Sequence, residues 1–283
     1  MVIRLLLFLL LHSYNVNAAP FVVTSIKPIH SIISALTDNI TETELLLNSG
    51  QDVHNFHLKP SQISLIAEAD ILISVDNKLE SELDKVIDSV AQNKKIFVTD
   101  INGINILSGN EQSIKNYHLW LDINNMKIIA KNISTKLIKV DPENRLNYLI
   151  NLSTLINSLE KLDKEITNKL SSHLNTAFAT YSDTFQYFTE SNKLEAPVVV
   201  TKYHGSRLSL HTALRARKEM QNKHIKCIIS DKEVPIKRIN TLTEGLNINN
   251  AQIDVMGLDI KRGPSHYFKL MNRITNKVIE CLQ

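Results

Sequence analysis

The sequence predicts an α/β protein of two small lobes, each a parallel-type β-sheet flanked by helices, joined by one long rigid helix. Three observations predict it. Short apolar runs alternate with helical segments over residues 19–141, the pattern of βαβ units and hence of a parallel sheet. A single helical stripe then fills 142–174. The strand and helix alternation resumes over 175–283, which makes a second lobe. The chain has 283 residues, 43% hydrophobic and 22% charged, so it can bury a large core and reads as globular rather than disordered.

Residues 1–18 stand apart from this pattern. Arg4 gives a short positive start, residues 5–11 an apolar stretch, and Val16-Asn17-Ala18 a small-residue cleavage site, the arrangement of an export signal peptide. The apolar stretch is too short to span a bilayer. An uncleaved anchor or a buried first strand is the other use of such a segment. Cleavage after Ala18 would release the remainder into the bacterial periplasm, and no Cys follows that site to carry a lipid.

The first lobe opens on an apolar strand at 21–24, and Pro28 starts a helix through Ile33 and Leu36. A second strand at 44–47 runs into the segment 50–61, GQDVHNFHLKPS. Gly50 and Asp52 open it as a turn, His54 and His57 stand three residues apart, and Pro60-Ser61 starts a helix ending near Ala69. A loop at the carboxyl end of a strand faces the crevice of an open α/β sheet, where ligands bind. The two imidazoles make this loop half of a candidate metal site. A continuous apolar strand at 71–75, a charged helix at 79–91 and a strand at 96–98 complete the sheet. His118 then precedes a helix at 124–138, so its ring is placed to face a cleft, or else to lie on the surface beside Trp120, the only tryptophan.

In the linking segment, Asp141 caps and Pro142 begins a helix whose Leu149, Leu152, Leu155, Ile156, Leu159, Leu162, Ile166 and Leu170 follow three-and-four spacing. At about 1.5 Å per residue it is about 50 Å long, a strut between lobes. A coiled-coil seam would use a similar stripe, but polar residues interrupt this one. The second lobe reads as strands at 177–181, 198–201, 226–230 and 252–255, with helices at 209–222, 235–246 and 265–282. Asp254, near the end of the last strand, again lies at a crevice edge. Arg215, Arg217 and Lys218 on the helix 209–222 read as a solvated face.

Several function classes are excluded or disfavoured. The net charge of +3, from 32 basic and 29 acidic residues, is too small and dispersed for nucleic-acid binding. Only seven glycines occur, and no phosphate-binding loop. No HExxH or comparable motif supplies the general base a metal hydrolase requires, so the chain is not read as an enzyme. Cys227 and Cys281 are the only cysteines. In an oxidising compartment they would pair, closing a loop of about 54 residues and stabilising the fold by about 4 kcal/mol. Two thiolates on a metal are the alternative, though neither Cys lies in a Cys-x-x-Cys or beside a His.

Taken together, these segments resemble the zinc- and manganese-binding solute-binding proteins of ABC transporters, and are most similar to the periplasmic zinc branch. Residues 24–29, TSIKPI, resemble that family's first strand and turn, and 54–61 its first ligand loop. His118-Leu119-Trp120-Leu121 resembles the second ligand segment and is the most specific match. Asp254 falls at the family's last acidic ligand, and Cys227 with Cys281 at the disulfide of the zinc branch.

The resemblance implies metal caught between two lobes by His54, His118 and Asp254 and delivered to a membrane permease with its cytoplasmic ATPase. It implies binding without catalysis, and the chain is expected to act as a monomer. Two imidazoles and a carboxylate are ordinary Zn²⁺ donors at about 2.0–2.2 Å, water can complete a tetrahedron, and the affinity order favours Zn²⁺ over Mn²⁺, which is also acceptable.

Two departures stand out. Aligned with 181–185, the family's third ligand, a His or Glu, falls on Ser182, a poor Zn²⁺ donor, and 101–117 lacks the histidines common in the zinc branch. His57 is a possible substitute for the missing donor, with His204 and His211 behind it. His30, His173, His224 and His266 are expected at the surface or at helix caps. Without a third donor the chain could instead be a relative with weakened metal binding and an adhesive or regulatory role.

Overall fold

A computed structural model describes residues 18–47, 51, 53, 54, 56–109, 114–201, 206 and 208–283. The expected signal segment, Ala18 excepted, lies outside the described residues, as do Gly50, Asp52 and His204. Among the described residues no helix is long and apolar enough to cross a membrane.

In chain order the first lobe comprises β1 (Val22–Thr24), α1 (Lys27–Leu36), β2 (Thr43–Leu45), α2 (Pro60–Glu68), β3 (Ile71–Ser74), α3 (Asp84–Ile87), β4 (Lys95–Phe97) and α4 (Ile123–Val140). The strut follows as α5 (Arg145–Leu170), extended by single 3-10 turns at Pro142–Asn144 and Ser171–His173. The second lobe holds β5 (Ala179–Thr180), α6 (Gln186–Ser191), β6 (Val198–Val199), α7 (Leu210–Asn222), β7 (Cys227–Asp231), α8 (Ile236–Thr243), β8 (Asn249–Ile253) and α9 (His266–Leu282). Each lobe has a four-stranded sheet, ordered β2-β1-β3-β4 and β6-β5-β7-β8, and every pairing is parallel. The predicted two-lobed α/β architecture with its long helix is thus observed.

The second sheet shows why the sequence folds this way. Alternate residues of a strand face opposite sides. Ile229 and Ile253 enter the large core that also contains α1, α5 and α9, whereas Ile228 and Val198 enter a smaller core under α7 and α8. A disulfide joins Cys227 on β7 to Cys281 on α9 across 54 residues, pinning the terminal helix to the sheet as expected.

Two local expectations differ. The charged helix 79–91 is reduced to a 3-10 turn at Ser81–Leu83 and one turn of α3. Here the carboxylate of Glu80, fully buried, accepts the Val75 and Asp76 N–H groups (2.9 and 3.0 Å to Oε2) and fixes the chain before a helix can begin. Ser89 then bonds back to the Val86 carbonyl, a local competition with helix that Ser and Asp favour. The helix α6 was not anticipated at all; its Tyr187 and Phe188 are buried.

His30 and His266 are the second correction. Both are buried, not at the surface, because α1 and α9 pack on one another where the lobes meet. Each imidazole donates from Nε2 to a carbonyl, His30 to Thr43 (2.9 Å) and His266 to Gly257 (3.1 Å). His224 is exposed and His173 half-buried.

Burial gives His30 and Glu80 opposite pH dependences. Loss of hydration holds His30 down at about 4, below its ordinary 6.5. The unfolded chain therefore takes up that proton first, and stability is lost as pH falls from about 6.5 to about 4. Loss of hydration also raises Glu80 to about 7 from 4.5, against the pull of its two N–H donors. The folded chain binds this proton first, so stability is gained as pH falls from about 7 to about 4.5. Each effect is of order 3 kcal/mol, and in the wild type they largely cancel. In urea unfolding between pH 7 and 5, Glu80→Gln is expected to uncover a loss of stability on acidification, and His30→Gln a gain.

Candidate metal centre

The candidate ligands lie on or beside loops that follow the carboxyl ends of strands. His54 follows β2 and is half-buried; His118, buried, sits just ahead of a 3-10 turn at Leu119–Leu121. Their ring centroids are 5.9 Å apart, with planes inclined by 50°. An ion about 2.1 Å from a nitrogen of each ring would lie about 3.2 Å from each centroid, so two rings sharing one ion stand about 5–6 Å apart. The pair fits a shared divalent ion.

The residues around His118 tie the site to the second lobe. Asn116 Oδ1 accepts the His118 backbone N–H (3.0 Å) and faces its ring Nδ1 (2.9 Å). From the same amide, Nδ2 donates to the Asp183 carbonyl (2.7 Å) and to Gln186 Oε1 (3.2 Å). Trp120, fully buried, donates from Nε1 to the Val255 carbonyl (2.9 Å), and its own carbonyl accepts the Tyr267 hydroxyl (2.8 Å). The neighbours of Ser182 and of Asp254 are therefore both bonded to the segment that carries His118. Gly109 approaches Asp183 so closely that a Cβ there would lie 2.7 Å from its Oδ2.

The remaining candidates are near in chain terms but are turned elsewhere. Asp254 lies just beyond β8, not within a strand, and its carboxylate caps the following turn by accepting the N–H groups of Met256, Gly257 and Leu258 (2.9, 2.8 and 2.7 Å). Gly257, at φ 64°, supplies the left-handed residue that this turn requires. Ser182 Oγ is 2.9 Å from Thr184 Oγ1. Extending the pairing of β5 with β7 by two residues sets Ser182 beside Asp231, a buried carboxylate at the same edge. His57 is exposed and faces Glu82, 3.4 Å from Nδ1 to Oε2, and His211 is exposed on α7. Among the described residues no group of three His, Cys, Asp or Glu stands ready to hold one ion. The structure thus sets the rings of His54 and His118 side by side, while the side chains of Asp254, Ser182 and His57 are engaged by other partners.

Two contributors were missed from the sequence. Asn116 carries no motif beyond standing two residues before a histidine. Lys27, in the TSIKPI segment, is buried and donates from Nζ to the carbonyls of Leu258 (2.6 Å) and Ile260 (3.1 Å), clamping the loop after Asp254 onto α1. Burial lowers its pKa, while Asp254 and Asp259 act to raise it. Ser31 completes the clamp, donating to the Pro264 carbonyl and accepting the Tyr267 N–H, both at 2.9 Å.

Against known proteins, residues 22–281 match the profile of the family described as ZnuA, zinc-uptake complex component A, periplasmic. The chain is 24% identical over 304 residues to the high-affinity zinc uptake system protein ZnuA of Brucella abortus, covering 92% of this chain and 91% of the relative. A crystal structure of ZnuA shares the fold at a TM-score of 0.80 and 17% identity, over 94% of this chain and all (100%) of the other. The Mn-bound periplasmic metal-binding protein from Candidatus Liberibacter asiaticus also shares it, at a TM-score of 0.80 and 19% identity, over 93% and 100%.

Proposed function

Because the chain belongs to the family of periplasmic zinc-uptake component A proteins, matching it over residues 22–281, we propose that it is the periplasmic metal-binding component of a zinc importer. The observation that carries this reading is the pair of imidazoles, His54 and His118, 5.9 Å apart at the junction of two lobes. Residues 19–141 and 175–283 act as the two lobes and 142–174 as the strut. His54 and His118 are the core ligands, Asp254 joins them if its carboxylate leaves the turn it caps, and water completes the sphere in place of Ser182. Zinc is preferred over manganese by the affinity order for nitrogen and oxygen donors.

The ion is cargo, passed to a membrane permease driven by a cytoplasmic ATPase, and the protein works by binding without catalysis. Residues 1–18 serve as the signal that exports it to the periplasm, where it acts as a soluble monomer. Two observations favour variants of this reading. The likeness to a Mn-bound protein favours manganese as cargo, and Ser182 at the third ligand position favours weak binding and an adhesive or regulatory role.

Metal analysis of the purified mature chain, followed by titration of Zn²⁺ and Mn²⁺ against a competing chelator, tests the choice. One equivalent of Zn²⁺ held more tightly than Mn²⁺ supports the proposal. The reverse order supports manganese, and failure to retain either ion overturns the transport reading.

A further inference from the structure

We infer that Asn116 is a positioning residue for the metal centre: it fixes His118 as the Nδ1–H tautomer, presents Nε2 to the ion, and ties that choice to the second lobe. The inference deepens the reading above, since it gives a role to a side chain that touches the ligand and not the ion.

An asparagine amide can be turned end for end, so its orientation must be argued from partners of known polarity. Two such partners act here. The His118 backbone N–H can only donate, and it meets Oδ1 at 3.0 Å. The Asp183 carbonyl can only accept, and it meets Nδ2 at 2.7 Å. Both demand the same orientation. The oxygen that faces His118 Nδ1 at 2.9 Å is therefore an acceptor, and the neutral ring must carry its proton on Nδ1. The lone pair then lies on Nε2. Asn116 is only 3% exposed, so bulk water does not compete for these bonds. A second support fixes the backbone, because the Asn116 carbonyl accepts the Tyr187 hydroxyl at 2.8 Å, whose oxygen in turn accepts the Leu107 N–H at 2.9 Å.

Asp183, Gln186 and Tyr187 all belong to the segment that follows Ser182. The orientation of a first-lobe ligand is thus set by second-lobe partners, through one amide. Metal-ligating histidines commonly have their other nitrogen held in this way, and loss of the holder costs about 10- to 100-fold in affinity.

The tautomer can be read without metal, from long-range proton–nitrogen correlation spectra of ¹⁵N-histidine-labelled protein at mildly alkaline pH, with His118→Gln identifying the signal. Wild type is expected to show His118 protonated on Nδ1. Asn116→Leu should lose that preference and weaken Zn²⁺ binding about 10- to 100-fold in chelator competition. Asn116→Asp separates the two halves of the claim. Its carboxylate still accepts both His118 bonds but cannot donate to the Asp183 carbonyl, so Nδ1–H should persist while the thermal midpoint falls.

An Nε2–H tautomer in the wild type would overturn the inference, as would an Asn116→Leu protein that keeps both the tautomer and wild-type affinity. If Asn116→Leu does not fold, the wild-type and Asn116→Asp spectra still decide. The expected spectra from a protein that binds no metal would refute the proposed cargo and leave the positioning of His118 standing.

Discussion

His118→Ala is expected to reduce Zn²⁺ affinity by more than about 100-fold, and His54→Ala by a comparable factor. Loss of a direct ligand should exceed the 10- to 100-fold typical of the residues behind it. Among the described residues no side chain stands ready to replace a lost imidazole. Asp254 is committed to three backbone N–H groups, Ser182 faces Thr184, and His57 points outward to Glu82. Removing either imidazole leaves one nitrogen, water and at most the Asp254 carboxylate, short of the donor set that a tightly bound zinc ion requires.

A second readout follows from linkage. Wild type at a free Zn²⁺ concentration a thousandfold above its dissociation constant should gain about 4 kcal/mol of stability, and a variant weakened 100-fold only about 1.4 kcal/mol at that same concentration. His57→Ala serves as control, expected to bind within about twofold of wild type because its ring faces away from the pair. Unchanged affinity in His118→Ala would move the metal centre to another part of the molecule.

The second large effect is on stability. Replacing both Cys227 and Cys281 by Ser should cost about 4 kcal/mol, the chain-entropy value for a closed loop of this length. For a chain of this size that is about 10 °C in thermal midpoint. The loss should be measured as unfolding free energy in urea, with the reduced wild type as a parallel sample. The fold itself should survive, since α9 keeps its buried face, including Tyr267, Leu270, Met271 and Ile274, against α1 and α5. A midpoint unchanged in the double variant would show that the bridge contributes nothing that this packing does not already provide.

The two sheets and the strut were legible because their signals are local. Ile71 to Ser74 is a continuous apolar run, and the leucines from 152 to 170 repeat at helical spacing; neither needs knowledge of the rest of the chain. The His54 and His118 pairing was legible for a different reason, the likeness of two short segments to a known family. What could not be read depends on partners distant in sequence. His30 is buried only because the terminal helix closes over α1, more than two hundred residues later. Glu80 arrests a helix only because the end of β3 presents two N–H groups to it. The direction of the Asp254 carboxylate follows from a turn governed by Gly257, and the role of Asn116 from a carbonyl 67 residues away. Side-chain direction and long-range burial have no periodicity, so no pattern in the sequence announces them.

The clamp of Lys27 and Ser31 on the loop after Asp254, with the Asn116 and Trp120 bonds on the other side, braces one lobe directly against the other. Swinging the lobes wide apart would break all of these bonds at once and strand the buried Lys27 ammonium and the Trp120 indole N–H. The brace therefore makes wide hinge opening costly, and any motion between the halves must be a small one that keeps these bonds.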